Sequence, residues 1–162
     1  LSNGYGRTKG FVYEGGVRVP FIASWPGKIA PGTVNDHPST FYDMMPTFSA
    51  IAGIDPPADT DGISFKDALF QQPQKKHDFL YWEFPSYTGQ QAVRMGPWKG
   101  IRKNILKENN LTIELYHLED DPQETKDVAE KHPEIVVQIQ QIMEEQHRPA
   151  IIERFKMPAL GD

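Results

Sequence analysis

Lys9-Gly10-Phe11-Val12-Tyr13-Glu14-Gly15-Gly16-Val17-Arg18-Val19-Pro20-Phe21-Ile22, continuing as Ala23-Ser24-Trp25-Pro26-Gly27, is the stretch on which the reading of this chain turns. Its halves ask different things of the backbone. Gly15-Gly16 permits positive φ and a close backbone approach, whereas Val17 to Ile22 has the composition of a buried strand interrupted by proline. Glu14 and Arg18 flank the glycines as a candidate charged pair, and Lys9 stands upstream as a cation on a flexible stem. Taken singly, each of these charged residues reads equally well as a solvated surface group.

Around this block the composition is that of a globular protein, 38% hydrophobic, 11% aromatic and 24% charged, with 14 prolines and 13 glycines among 162 residues. Much of the chain is therefore expected to be loop. A net charge of -5 excludes a binder of the nucleic-acid backbone, which needs a clustered basic face; Lys75-Lys76 and Arg102-Lys103 are too short to supply one. No apolar run reaches the length of a membrane span, so no membrane partner is expected. Leu1-Ser2-Asn3-Gly4 has neither an initiator methionine nor a signal-peptide plan, and the chain reads as beginning inside a longer protein. With no cysteine there are no disulfides, thiolate metal sites or cysteine nucleophiles.

Downstream, Pro26-Gly27 and Pro31-Gly32 mark turns. Met44, Met45, Phe48, Ile51 and Ala52 recur at helical spacing, with Pro46 in the first turn and Gly53 placed to end the helix; they are read as core, packed on a strand within Phe11 to Trp25. A shorter helix is expected over Ile63 to Phe70, and the polar run Gln71 to His77 reads as a connector. The expected division is thus 1-76 and 77-162. In the second part, Phe79–Phe84, Gln91–Met95, Trp98–Arg102 and Thr112–His117 read as four strands of an antiparallel sheet, with a hairpin at Gly96-Pro97. Pro133 opens a helix with Ile135, Val136, Ile139, Ile142 and Met143 on one side, expected to cover that sheet. Residues beyond about 148 have no clear period and read as a docking tail or a frayed end.

The block as a whole, with Asp43-Met44-Met45-Pro46-Thr47, Asp61-Gly62-Ile63-Ser64, Leu80-Tyr81-Trp82-Glu83-Phe84, Gly96-Pro97-Trp98-Lys99 and Glu114-Leu115-Tyr116-His117, resembles the C-terminal portion of the formylglycine-dependent sulfatases of the alkaline phosphatase superfamily. That resemblance implies an α/β fold, the end of an alkaline phosphatase-like catalytic domain, followed by a small α+β subdomain with a four-stranded antiparallel sheet and a C-terminal helix. It implies hydrolysis of sulfate esters of a sulfated carbohydrate or of an aryl sulfate, in a periplasmic or secreted protein.

The resemblance carries one catalytic residue over, Lys9, as the contact to the sulfate group. Tyr13, Glu14, Gly15, Gly16 and Arg18 are implied to be architecture. Trp82, Glu83 and Gln91 are implied to lie near the mouth of the active site, where aromatic faces, a carboxylate and an amide suit a sugar. Several relatives have His where this chain has Pro85, which loosens any inherited substrate. The family's calcium and formylglycine are expected outside this chain. Ser24-Trp25-Pro26-Gly27-Lys28 imitates the Cys/Ser-x-Pro-x-Arg nucleophile motif, but Lys replaces Arg and it follows the block rather than preceding it. Asn3-Gly4 is likewise read as a later, non-ligand Ser-Asn-Gly. His37, His77, His117, His132 and His147 share no ligand spacing, so no metal site is expected, and Glu119-Asp120-Asp121 reads as a turn.

The isolated chain is expected to be inactive and to need the remainder of the catalytic domain. Two other readings stay open at this point: a phosphoryl or phosphonate hydrolase of the same superfamily, and a non-catalytic carbohydrate-binding or packing module.

Overall fold

The computed structural model describes residues 8 to 162, so Ser2-Asn3-Gly4 lies outside the described residues. The helices are α1 (Glu14–Val17), α2 (Met44–Ala52), α3 (Lys66–Leu69), α4 (Ile105–Glu108) and α5 (Pro133–Gln146); the strands are β1 (Leu80–Phe84), β2 (Gln90–Met95), β3 (Trp98–Lys103) and β4 (Glu114–His117). The chain forms two compact units. One joins the stretch up to Val19 with Phe79–Asp162, and the other is Pro20–Asp78.

In the first of these, β1 to β4 form one antiparallel sheet in sequence order, β2 and β3 meeting tightly with Met95 opposite Trp98. Because side chains alternate across a strand, the sheet has two distinct faces. Val93, Leu115 and Ile113 point toward α5, where Ile139 and Met143 are fully buried among them. Gly100 makes this approach possible: a Cβ there would lie 2.6 Å from Ile139. Ala92, Ile101 and Tyr116 point the other way and are covered by Val12 and Tyr13 of the glycine block, with Trp82 and Phe84 at the margin. The sheet is therefore the middle layer, with α5 on one side and the block on the other.

The expectation of one or two strands within Phe11 to Trp25 is corrected here. Glu14–Val17 is a single helical turn, and 18–25 runs without joining a sheet. A strand is stabilised by a hydrogen-bonded neighbour, and the four-stranded sheet lends this segment no edge. The turn forms because Tyr13 presents its carbonyl to the N–H groups of Gly16 and Val17, at 2.8 and 3.0 Å.

The segment after α5 is a docked tail. Short 3-10 turns at Glu153–Phe155 and Pro158–Leu160 bring Met157 into full burial, and the Asp162 carboxylate accepts the Met157 N–H and lies 2.9 Å from His147 Nε2.

The second unit is organised by Asp43. Its carboxylate accepts the N–H groups of Thr40 and Ile63, both at 2.8 Å, and pairs with His77 Nε2 at 2.7 Å, while Thr47 donates its hydroxyl to the Asp43 carbonyl at 2.7 Å. The same Thr47 oxygen accepts the Phe65 N–H, so α2 is held by a polar seam rather than an apolar one. Gly53 ends α2 in the left-handed conformation, as its position suggests. The reading of Met44, Met45 and Phe48 as core does not hold within this unit, where Met44 is only half-buried. Met45 and Phe48 are exposed, and the buried residues of α2 are Pro46, Thr47 and Ser49. Helical periodicity finds an apolar stripe, but cover for it has to come from another element, and none within this unit lies over it. The helix expected over Ile63 to Phe70 is shortened to the single turn of α3.

Candidate functional site

Lys9 and Gly10 are the central pair of a turn closed by the Phe11 N–H on the Thr8 carbonyl at 3.2 Å. Gly10 has φ +92°, the left-handed region that the third position of a type II turn requires. A Cβ there would also lie 2.5 Å from Tyr87 Cε2, a contact that the exposed tyrosine ring would have to yield. Tyr87 in turn stacks on Phe11, with centroids 6.1 Å apart and planes 6° from parallel. The Lys9 residue itself is exposed.

Three polar anchors, two buried and one half-buried, fix the block to the sheet, each from a different strand. From β2, the Gln90 side chain donates to the Gly10 carbonyl at 3.1 Å and accepts the Val12 N–H at 3.3 Å. From β4, Glu114 accepts hydrogen bonds from the hydroxyls of Tyr13 and Tyr116 and pairs with Lys103. From β3, Lys99 donates to Glu14 Oε1 at 2.8 Å and approaches Glu124 Oε1 at 3.1 Å. The Glu14 N–H donates to the other Glu124 oxygen at 2.6 Å. Glu124 reaches this position with φ +54°, in the turn that Asp121 ties together by accepting the Thr125 and Lys126 N–H groups. The acidic Glu119-Asp120-Asp121 run is thus structural. The cation on Glu14 is Lys99; Arg18 is exposed and meets Glu14 through its own N–H on the Glu14 carbonyl, at 2.9 Å.

Gly15 and Gly16 lie inside α1. Gly16 serves close approach, not positive φ: a Cβ there would sit 1.9 Å from the Phe11 carbonyl oxygen.

Two carboxyls of this cluster are pushed in opposite directions. Burial alone would raise Glu114, but hydrogen bonds from Lys103 and Tyr13, the Lys103 charge and the Tyr116 hydroxyl outweigh it and hold the group below its ordinary 4.5. Glu124 is raised because burial outweighs Lys99 and the Glu14 N–H. A depressed carboxyl contributes stability that is present above the unfolded value and lost as pH falls through the folded one; a raised carboxyl opposes folding as pH rises through its window. Glu114→Gln should accordingly flatten the fall in unfolding temperature below pH 4.5, measured by thermal unfolding across an acid series. An unchanged acid slope would remove Glu114 from the account.

The residues expected at the substrate divide between the two faces. Trp82 is on the side of the block, its ring 6.0 Å from Lys99 Nζ. Glu83 and Gln91, directly opposite each other on β1 and β2, face α5. There Gln91 donates to Glu83 and to the Tyr81 hydroxyl, both at 2.9 Å, and accepts from Arg102 at 3.2 Å, while His147 Nδ1 lies 2.7 Å from Glu83. A cavity of about 270 Å³ opens beside Gln91, Arg102, Glu144 and His147. Polar groups around it are already hydrogen-bonded, Gln140 to Glu144 at 2.8 Å and His147 to Glu83 and Asp162 among them. Burial raises the Tyr81 hydroxyl and its hydrogen bond to Glu83 adds to that, so it stays a neutral donor. Among the described residues no three His, Asp or Glu side chains converge as a metal-ligand set.

Sequence reasoning did not assign Gln90, Lys99, Glu114 or Glu124 to the site. Their partners lie 78 to 110 residues away in the chain, so no local pattern links them. The one available signal was a lysine inside a strand of otherwise buried spacing.

Residues 5–149 match the family model described as N-sulphoglucosamine sulphohydrolase, C-terminal. A sulfatase of Formosa agariphila is 35% identical over 141 residues, covering 77% of this chain and 25% of that protein. Human arylsulfatase A is 41% identical over 96 residues, covering 56% of this chain and 18% of its own. Among solved structures, a protein from a Bacteroides thetaiotaomicron locus for the metabolism of multiple glycosaminoglycans superposes with a TM-score of 0.70 at 26% identity, over 88% of this chain and 32% of its own. Ps i-CgsB, solved in complex with k-i-k-neocarrahexaose, gives 0.62 at 25% identity, over 75% of this chain and 27% of its own. The chain thus spans about a quarter of the length of the Formosa agariphila sulfatase. With block, sheet and helix in this order and residues 5–149 of its 162 matching the family model, the chain belongs to the sulfatases, as a C-terminal portion of one.

Proposed function

We propose that the complete protein hydrolyses sulfate esters of a sulfated sugar or glycan, and that Lys9 contacts the sulfate group. The observation that carries this reading is the build of the Lys9 turn, an exposed cation on a backbone pinned by buried side chains. Sulfate ester cleavage moves negative charge onto the leaving and non-bridging oxygens. A cation already fixed near those oxygens stabilises that charge without reorganising in the reaction. Relatives from a glycosaminoglycan locus and with a bound neocarrahexaose support a sulfated carbohydrate over a small aryl sulfate as the natural substrate. Trp82, on the side of the block, suits the face of a sugar ring.

Calcium and formylglycine belong to this reading as groups held elsewhere in the complete protein. The chain has no cysteine, and among the described residues no three His, Asp or Glu side chains gather, which supports placing both groups in the remainder of the protein. Its contribution is the Lys9 turn. The remainder of the catalytic domain is the natural cover for Ile22, Val34, Phe41, Met45 and Phe48, which the second unit leaves exposed.

Lys9→Ala in the complete protein should lower kcat/KM for a sulfate ester about ten- to a hundredfold, the worth of one charge-assisted contact, with Lys9→Arg recovering part of it. Unchanged kinetics in Lys9→Ala would defeat the assignment.

A further inference from the structure

We infer that Gln90 is the positioning residue for Lys9, an inference that rests on the sulfate-contact reading above. Gln90 is the first residue of β2 and is 1% exposed. Its primary amide brackets Phe11, donating to the carbonyl of the residue before it and accepting the N–H of the residue after it. A backbone peptide of a neighbouring strand would offer the same donor and acceptor. The amide therefore acts as a one-residue strand for a segment that no strand accompanies, and it does so immediately beside Lys9.

Other elements make this bracket decisive for where the lysine starts. Gly10 sits in the left-handed region, which glycine enters and leaves freely, so the turn takes its definition from its contacts rather than from its own backbone preference. Tyr87 closes the open side, its ring against the Gly10 Cα and stacked on Phe11, and Phe84 supports Tyr87 with ring centroids 6.0 Å apart. Gly10 is thus fixed by a hydrogen bond on one side and a ring on the other. The stem of Lys9 departs from one residue upstream, so its ammonium swings from an anchored Cα. Without the amide, the Gly10 carbonyl and the Val12 N–H lose their buried partners and the turn can rotate about Gly10. The Glu14 and Tyr13 anchors do not prevent this, because they act downstream of Val12.

Gln90 touches no substrate in this account and acts through Lys9 alone, which the experiment exploits. In the complete protein, Gln90→Met, Lys9→Ala and the double variant are assayed on one sulfate ester, with the unfolding temperature of each recorded. Gln90→Met is expected to lower kcat/KM about ten- to a hundredfold, the reach of a displaced contact, and to have no further effect once Lys9 is alanine. Full additivity of the two, or activity retained in Gln90→Met, overturns the inference while leaving Lys9 in its role. If Lys9→Ala alone is silent, the sulfate-contact reading fails first, and the two failures are told apart. Should Gln90→Met not fold, Gln90→Asn carries the same test, since it keeps the amide but shortens its reach by one methylene and so withdraws it from both Gly10 and Val12.

Discussion

Lys99→Met is expected to destabilise the protein by about 3–5 kcal/mol, the range for breaking a buried ion pair from one side. The Lys99 side chain is fully buried, and the two carboxylates it serves are at most 3% exposed. One ammonium therefore faces two carboxyl groups, and methionine would leave both without a counter-charge. The partners are not equal. Glu14 Oε1 is an aligned acceptor, whereas Glu124 Oε1 is within ion-pair distance but is not aligned for a hydrogen bond. Burial raises the Glu124 carboxyl toward neutrality against the opposing pull of the Lys99 charge. Adding Glu14→Gln and Glu124→Gln to Lys99→Met should return a substantial part of the loss, because a neutral buried cluster does not carry the charge penalty. Urea unfolding of the three proteins checks this through the midpoint at constant slope. Equal stability of Lys99→Met and the wild type would show that the two carboxyls are not left as uncompensated buried charges.

The sheet and α5 were legible because each is a local pattern. Alternation along Leu80–Phe84 and Gln90–Met95, the Gly96-Pro97 turn and the 3.6-residue period from Pro133 each need only a few neighbouring residues to recognise. The destination of the glycine block was not legible in this way. Val17, Val19 and Ile22 favour a strand by composition, yet the block has no strand partner and is held instead by Gln90, Lys99 and Glu114, whose positions in the sequence say nothing of Gly10, Glu14 or Tyr13. The same limit explains α2. Its apolar stripe was recognised, but Met45 and Phe48 are exposed, because period reveals a face and not its cover. Of the candidate site, Lys9 came from the resemblance, and the means of holding it came only from the structure.

Gly16→Ala should test whether the block is as tightly specified as this geometry implies, with an expected loss of about 3 kcal/mol, the upper end of the usual cost of overpacking. Gly16 has no positive φ, so the argument is one of space alone. The added methyl would stand 1.9 Å from the Phe11 carbonyl oxygen, 2.9 Å from its carbon and 3.0 Å from the Thr8 carbonyl oxygen. All three are backbone atoms, and no side-chain rotation can relieve the contact. Relief requires Phe11 to move, but Gly10 and Val12 on either side of it are held by Gln90, and its ring is stacked on Tyr87. The strain is therefore shared with the Lys9 turn. In the complete protein, Gly16→Ala should lower both the unfolding temperature and kcat/KM, whereas a substitution that only weakened the core would leave the turnover of the folded fraction unchanged. Wild-type stability in this variant would mean that the Phe11 carbonyl is free to shift, and the bracket around Lys9 would then be too loose to position it.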